Sequence, residues 1–231
     1  WVNLGDKYAG NGNMRYRRHT QSYFGDHSAV AASEAEADHR PDWGTVRTKS
    51  LMGLPWRYAI GCIDDLGLIL RAEVIWSKPN GLPESVTDRV RRSHEQWFHF
   101  TREPRYFSAL DEIREPHKEV SLKRAAPHRA NVLAHEDSHK VDMTKACHPL
   151  GKLPGSVWSI PSEPLKVPDE LGVDHFAAFP QEWPRRLILG WCPPDGVVLD
   201  PFAGTGTVPM VARALGRTGI GVDLSADYLR L

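Results

Sequence analysis

The sequence has few cysteines, no net charge and no long apolar run. Its 231 residues include 3 cysteines, far apart and without a Cys-x-x-Cys pair, which argues against a disulfide framework and favours a reducing compartment. The 29 basic and 29 acidic side chains balance, so the composition gives no global signal for nucleic acid, although a local basic face is enough to bind phosphates. No stretch reaches transmembrane length and no signal peptide is visible. We therefore expect a cytoplasmic location.

The chain also lacks an initial methionine. It opens on Trp1 inside an apolar stretch that is typical of a strand. We therefore suspect that the natural N-terminus lies further upstream.

Apolar spacing alternates between the strand period and the helix period along the chain. Strands are predicted at 1–8, 70–78, 95–102 and on both sides of the last helix; helices are predicted from Leu54 to about Ile63, from near Pro180, and from near Thr207. The polar stretch 11–50 predicts a long loop. This alternation predicts an α/β fold with a mostly parallel sheet.

The segment "LDPFAGTGTVPMVARALGRTGIGVDL" closes the chain as strand, glycine-rich turn, helix and strand. Asp200 ends its first strand, and Gly204 and Gly206 permit a tight turn that a ligand approaches closely. The helix that follows presents unpaired N–H groups near Thr207. Asp223 lies about 20 residues further on, where an acid accepts hydrogen bonds from ribose hydroxyls. The segment indicates a nucleotide or nucleoside site.

Two other interpretations of this segment stay open. A βαβ turn of this kind exists without any ligand. A dinucleotide-binding loop is disfavoured because Pro209 stands where that motif needs a third small residue.

Four stretches together resemble one family. "DPFAGTGT" with "GIGVDL" resembles motifs I and II of the S-adenosylmethionine (SAM)-dependent DNA amino-methyltransferases, and "DHFAAFP" resembles motif X. "IWSKPNGLPESVTDRVRRSHE" resembles motifs VI to VIII, and "WVNLGDKYAG" the strand after the catalytic motif. Their order is that of the β class, in which the catalytic half precedes the cofactor half.

The resemblance implies a Rossmann-like methyltransferase fold with helices on both faces and a circularly permuted motif order. The strand at Trp1 is then expected in the same sheet as the glycine turn. The implied divisions are a catalytic half at 1–107, a target-recognition insert at 108–157 and a SAM-binding half at 158–231. The implied activity is methyl transfer from SAM to an exocyclic amine of duplex DNA, with adenine N6 slightly favoured over cytosine N4.

The resemblance also assigns residues. The expected SAM-binding set is Asp200, Phe202, Gly204, Gly206, Thr207, Asp223, Phe176, Phe179 and Pro180. The expected DNA-binding set is Lys78, Asn80, Ser85, Arg89, Arg92 and His94. Each of these also has a plainer interpretation: a solvated charged loop for the second set, and packing for the aromatic residues and Pro180. A restriction endonuclease is a possible partner for such a protein.

The family's catalytic motif, Asp/Asn/Ser-Pro-Pro-aromatic, is absent from this sequence. "CPPD" at 192–195 has no aromatic after its prolines and predicts a loop before a strand. We therefore assign no catalytic residue and expect this stretch alone to be inactive.

The polar insert is rich in histidine, and His135 and His139 have the spacing of a helical metal pair. It has no closed four-ligand pattern, so we predict no metal. A methyltransferase for RNA, protein or a small molecule and a non-catalytic SAM- or DNA-binding module remain as alternatives.

Overall fold

The computed structural model describes residues 1–9, 46–47, 49–123, 147–163 and 180–226. Its elements, in chain order, are β1 Val2–Leu4, α1 Leu54–Asp64, β2 Ile69–Ser77, β3 His94–Thr101, a 3-10 helix Leu110–Ile113, β4 Val157–Ser159, α2 Glu182–Trp191, β5 Val197–Asp200, α3 Thr207–Ala214 and β6 Thr218–Gly221. The predicted helices and strands are confirmed to within a few residues. The sequence analysis missed β4 and the 3-10 helix.

Four strands form one sheet in the order β1-β3-β2-β4. β3 runs antiparallel to both of its neighbours, and β4 runs parallel to β2. β1, β2 and β4 therefore point the same way, so that their carboxyl ends meet at one edge. The sheet is mixed because the connection after β2 brings the chain back as a reversed central strand.

Tryptophans fill one face of this sheet. Trp97 of β3 stacks on Trp183 of α2 at 4.6 Å between ring centroids, and Trp158 of β4 stacks on the same ring at 4.8 Å. Trp76 of β2 meets it edge-on at 5.9 Å. Trp183 is completely buried, so α2 is fixed to this face by one central aromatic side chain.

Helix α1 covers the opposite face. Its buried residues Pro55, Ala59 and Cys62 recur at helical spacing, and Trp56 contacts Phe98 of β3 edge-on at 5.3 Å. Helices therefore lie on both faces of the sheet, as predicted.

β5 and β6 form a second, parallel pair. α2 joins the two sheets, because Ile188 packs with Val211 and Ala212 of α3 while Trp183 packs on the first sheet. We expected the strand at Trp1 to lie in the sheet of the glycine turn. This expectation is wrong for the described residues: β1 pairs with β3 in the four-stranded sheet, whereas β5 pairs with β6 alone. In the same ranges, no helix is long and apolar enough to cross a membrane.

Candidate functional site

The glycine-rich turn begins at the carboxyl end of β5. Gly204 and Gly206 have φ angles of 51° and 80°, in the left-handed region that favours glycine. Gly206 is the residue before α3, and its backbone N–H bonds to the carbonyl of Ala203 at 2.8 Å. Two glycines at this spacing thus let the chain reverse and enter the helix at Thr207, as predicted.

Two carboxylates hold the turn. Asp200 Oδ1 accepts the backbone N–H of Phe202 at 3.0 Å. Asp223, just after β6, accepts the N–H of Gly204 at 2.8 Å through one oxygen and that of Ser225 at 2.8 Å through the other. The predicted meeting of the glycine turn with the acid after the next strand is therefore present.

Close packing behind the turn depends on two further glycines, which the sequence analysis did not select. A Cβ on Gly219 would overlap the backbone of Pro209, at 2.5 Å from its Cα. A Cβ on Gly221 would lie 2.8 Å from the Cβ of Ala203. The "GIG" of β6 thus allows α3 and the turn to lie directly on the strand. The sequence signal for this packing was the alternation of Gly219 and Gly221 with Ile220, which places both glycines on the same face of the strand.

The other expected SAM-binding residues are distributed unevenly. The Phe202 side chain is 87% exposed at the turn, whereas Pro180 is fully buried at the start of α2, where its carbonyl accepts the Trp183 N–H at 3.2 Å. Phe176 and Phe179 lie outside the described residues. The structure thus gathers the turn residues and Asp223, and gives Pro180 a packing position.

A second group of polar side chains lies at the carboxyl edge of the four-stranded sheet. Asp6, which follows β1, has a side chain only 3% exposed. Its two oxygens accept the backbone N–H groups of Gly53 and Leu54 at 2.9 and 3.0 Å. Arg92, from the loop after β2, lies 3.8 Å away. Asp6 thus caps α1 and joins that cap to the loop.

Glu84 organises the arginines of the same loop. It forms an ion pair with Arg89, with a second contact at 3.0 Å, and it accepts the Arg92 backbone N–H at 3.2 Å. The Arg89 hydrogen bond is the main cause that lowers the pKa of Glu84 to about 2. The Arg89 guanidinium also lies 3.8 Å from the ring centroid of Tyr8. These contacts fix two of the expected DNA-binding residues in place.

Lys78 and Asn80 also have partners within the protein. Lys78 forms an ion pair with Glu95 and lies over the Trp76 ring at 4.1 Å. The Asn80 amide donates to the Ser162 carbonyl at 2.9 Å and accepts the Ser162 N–H at 2.7 Å. Asn80 thus ties the loop after β2 to the segment after β4.

Ser85 is exposed on this loop and His94 begins β3. The histidines at 135 and 139 lie outside the described residues. Among those that are described, no three His, Cys, Asp or Glu side chains form a metal cluster. "CPPD" is the turn between α2 and β5, with Asp195 at a φ of 60°.

The sequence analysis missed Asp6 and Glu84, which both accept backbone N–H groups. For Asp6 the signal was a Gly-Asp pair directly after a strand. For Glu84 it was an acid five residues before an arginine. The Asp6 signal does not identify its partners, because Gly53 and Leu54 are distant in sequence. The Glu84 signal does not identify its partner, because the loop has no regular period that fixes which side chains meet.

Helices lie on both faces of the four-stranded sheet. At the carboxyl end of β5, the glycine turn contacts Asp223, the acid that follows β6. These features define a Rossmann-like α/β protein with a nucleoside-type site. The family model described as DNA methylase matches residues 1–231, and the chain belongs to that family. The resemblance drawn from its motifs is thereby confirmed.

Its relatives agree with this assignment. The chain is 34% identical over its full length to "Type II methyltransferase M.XycI" of Xanthomonas campestris pv. cyanopsidis, and 30% identical over its full length to "Type II methyltransferase M.SmaI" of Serratia marcescens. It spans 62% and 64% of these two proteins. Among solved structures, the cytosine-N4-specific PvuII DNA methyltransferase is similar with a TM-score of 0.58 and 19% identity, over 79% of this chain and 56% of that one. This likeness confirms the fold.

Proposed function

We propose that this protein methylates an exocyclic amine of duplex DNA, adenine N6 or cytosine N4, with SAM as the methyl donor. The observation that carries the proposal is the 2.8 Å hydrogen bond from Gly204 to Asp223, which places the glycine turn against an acid. Family membership and the names of the relatives support the same activity. The preference for adenine stays a prediction.

The residues present fit a nucleoside cofactor. Asp223 accepts a backbone N–H through each carboxylate oxygen, which places an ionisable acceptor at the glycine turn, and carboxylate oxygens also accept hydrogen bonds from ribose hydroxyls. Phe202 is exposed beside the turn and offers an apolar surface to an adenine ring. SAM, when bound, supplies an electrophilic sulfonium methyl group, while the chain's own residues hold and orient the nucleoside.

The loop after β2 would face the DNA. It lies at the carboxyl edge of the sheet, where ligands of open α/β folds bind. Glu84 holds the Arg89 guanidinium, and Asp6 and Gln96 hold that of Arg92. Because both side chains are already ordered, contact with a phosphate costs them little further side-chain freedom. The loop is thus preorganised for contact with the backbone.

Methyl transfer by the full-length protein tests the proposal. Tritiated SAM is supplied with phage λ DNA from a host without DNA methylases, with total RNA, and with a protein extract. We expect label in DNA alone, and mass spectrometry of the nucleosides to show N6-methyladenine or N4-methylcytosine. Label in RNA or protein alone would exclude the proposal. SAM or DNA binding without any transfer would instead indicate a non-catalytic module.

The ribose role of Asp223 is tested by Asp223→Ala in the same protein. We expect the dissociation constant for SAM to rise about tenfold, the value of one charge-assisted hydrogen bond. Calorimetric titration measures it, and Asp64→Ala, an acid at the far end of α1, is the matched control. An unchanged affinity would remove the assignment.

A restriction endonuclease of the same specificity is the proposed partner, since the relatives carry type II names. Protection of λ DNA from a panel of type II endonucleases after methylation tests this pairing. Uniform sensitivity to the panel would speak against it.

A further inference from the structure

Leu82 stands out on the loop after β2. Its side chain is 89% exposed, although the backbone around it is firmly held. The Gly81 N–H bonds to the Lys78 carbonyl at 3.3 Å, and the Arg91 guanidinium donates to the carbonyls of Gly81 and Leu82 at 2.8 and 3.2 Å. The chain thus presents a leucine to solvent on a fixed turn.

Two anchors set the position of this turn relative to the sheet. Asn80 binds Ser162 through both ends of its amide, and this joins the turn to the segment after β4. Pro83 follows Leu82 directly and restricts the backbone further. Neither anchor buries the leucine, so the side chain contributes nothing to the core.

One arginine lies directly beside Leu82. Lys78, Arg89 and Arg92 of this loop pair with Glu95, Glu84 and Asp6. Arg91 instead donates to the carbonyls of Gly81 and Leu82 and forms no ion pair with an acid of the described residues. A fixed apolar side chain next to an arginine is complementary to a base step flanked by phosphates. Apolar wedges of this type enter a duplex and stabilise an unstacked step.

We propose that Leu82 inserts into the base stack of the bound DNA and stabilises the unstacked step beside the extruded target base. The inference rests on the proposed DNA methylation, because a base must leave the duplex before its amine is accessible. Leu82 takes no part in the chemistry. It lowers the free energy of the opened duplex when that duplex is bound.

A matched control lies at the other end of the same sheet. Leu66 is 67% exposed and follows α1. The first turn of α1 is capped by Asp6 at the carboxyl edge of the sheet, and the helix ends shortly before β2 begins at Ile69. Leu66 therefore has the same chemistry but lies on the opposite edge. Leu82→Ala and Leu66→Ala differ only in where the leucine is lost.

The experiment uses the full-length protein and a duplex with the recognition site that sequencing of the methylated λ DNA identifies. A second duplex carries a mispair at the target base, whose stack is already broken. We expect Leu82→Ala to weaken binding to the paired duplex about tenfold and to the mispaired duplex by less than about threefold. Leu66→Ala should match the wild type on both, and Leu82→Met should restore binding.

Fluorescence anisotropy measures the affinities, and thermal unfolding checks that the variants keep the native fold. If Leu82→Ala and the wild type bind the paired duplex equally well, Leu82 does not insert into the base stack. An equal loss of affinity on both duplexes would also contradict the proposed insertion. If the wild type itself transfers no methyl group to λ DNA, the proposed function fails and the wedge fails with it. An active wild type with an unaffected Leu82→Ala variant refutes the wedge alone.

Discussion

At the scale of the residue, Asp6 joins three segments: it follows β1, accepts the N–H groups at the start of α1 and pairs with Arg92 of the loop after β2. Gly53, which precedes α1, has a φ of 68° and no side chain to cap the helix. Asp6 supplies the cap from another segment, through the N–H groups of Gly53 and Leu54. A buried carboxylate at a helix N-terminus also interacts favourably with the helix dipole.

Asp6→Ala is predicted to lower the free energy of unfolding by about 1–3 kcal/mol, because two partly buried N–H groups lose their acceptor. Urea unfolding followed by circular dichroism measures the loss. Asp64→Ala, at the C-terminal end of the same helix, removes an acid from an unfavourable position and should be neutral or slightly stabilising. Equal losses in both variants would contradict the capping role.

The residues that the sequence predicted best are those whose partners are close in the chain. Asp200, Gly204 and Gly206 share one short turn, whose geometry follows from local backbone preferences. Asp6 was missed because its donors, Gly53 and Leu54, lie in a distant segment. Glu84 was missed because its partners lie in an irregular loop, where no periodic pattern predicts which side chains meet. A sequence shows which residues can accept hydrogen bonds, but the fold decides which donors are available.

At the scale of the element, the packing of α3 and the glycine turn on β6 determines which residues β6 can contain. Gly219 and Gly221 face α3 and the turn, where no side chain fits. The short strands were harder to predict than the long ones. β4 has three residues and forms by pairing with β2, so most of its stability comes from a segment far away in sequence.

Gly219→Ala is predicted to cost about 1–3 kcal/mol, because the added Cβ overlaps the Pro209 backbone and overpacks the contact. Gly155→Ala is the control, since a Cβ there meets nothing within 4 Å. Urea unfolding compares them, and SAM titration should show a weaker affinity for Gly219→Ala alone. A loss at Gly155 as large as that at Gly219 would refute the packing argument.

At the scale of the whole molecule, the charge state of a buried histidine, His99, affects global stability. His99 is 5% exposed and stacks on Trp1 at 4.3 Å, with Trp191 and Tyr106 edge-on to it. Burial is the main cause that lowers its pKa to about 4, and the positive charge of Arg71 acts in the same direction. This position could not be predicted, because the alternating pattern of a strand does not show which face the core will cover.

Stability is therefore predicted to depend on pH in a defined window. The unfolded chain binds a proton at His99 below a pKa of about 6.5, whereas the native protein binds it only near 4. Between these values the unfolded state holds more protons, so stability falls as the pH decreases, by on the order of 2 kcal/mol after allowance for partial solvent screening.

Glu84 affects stability at a lower pH than His99 does. Glu84 has its pKa lowered to about 2 from 4.5, so its contribution is lost only as the pH falls below about 4.5. Urea unfolding between pH 6.5 and 4.5 therefore measures the pH dependence before Glu84 contributes to it. His99→Gln should flatten the dependence there, and His94→Gln, at the start of the same strand, should preserve it. A wild-type stability that stays constant across this window would show that His99 is not held neutral by the core.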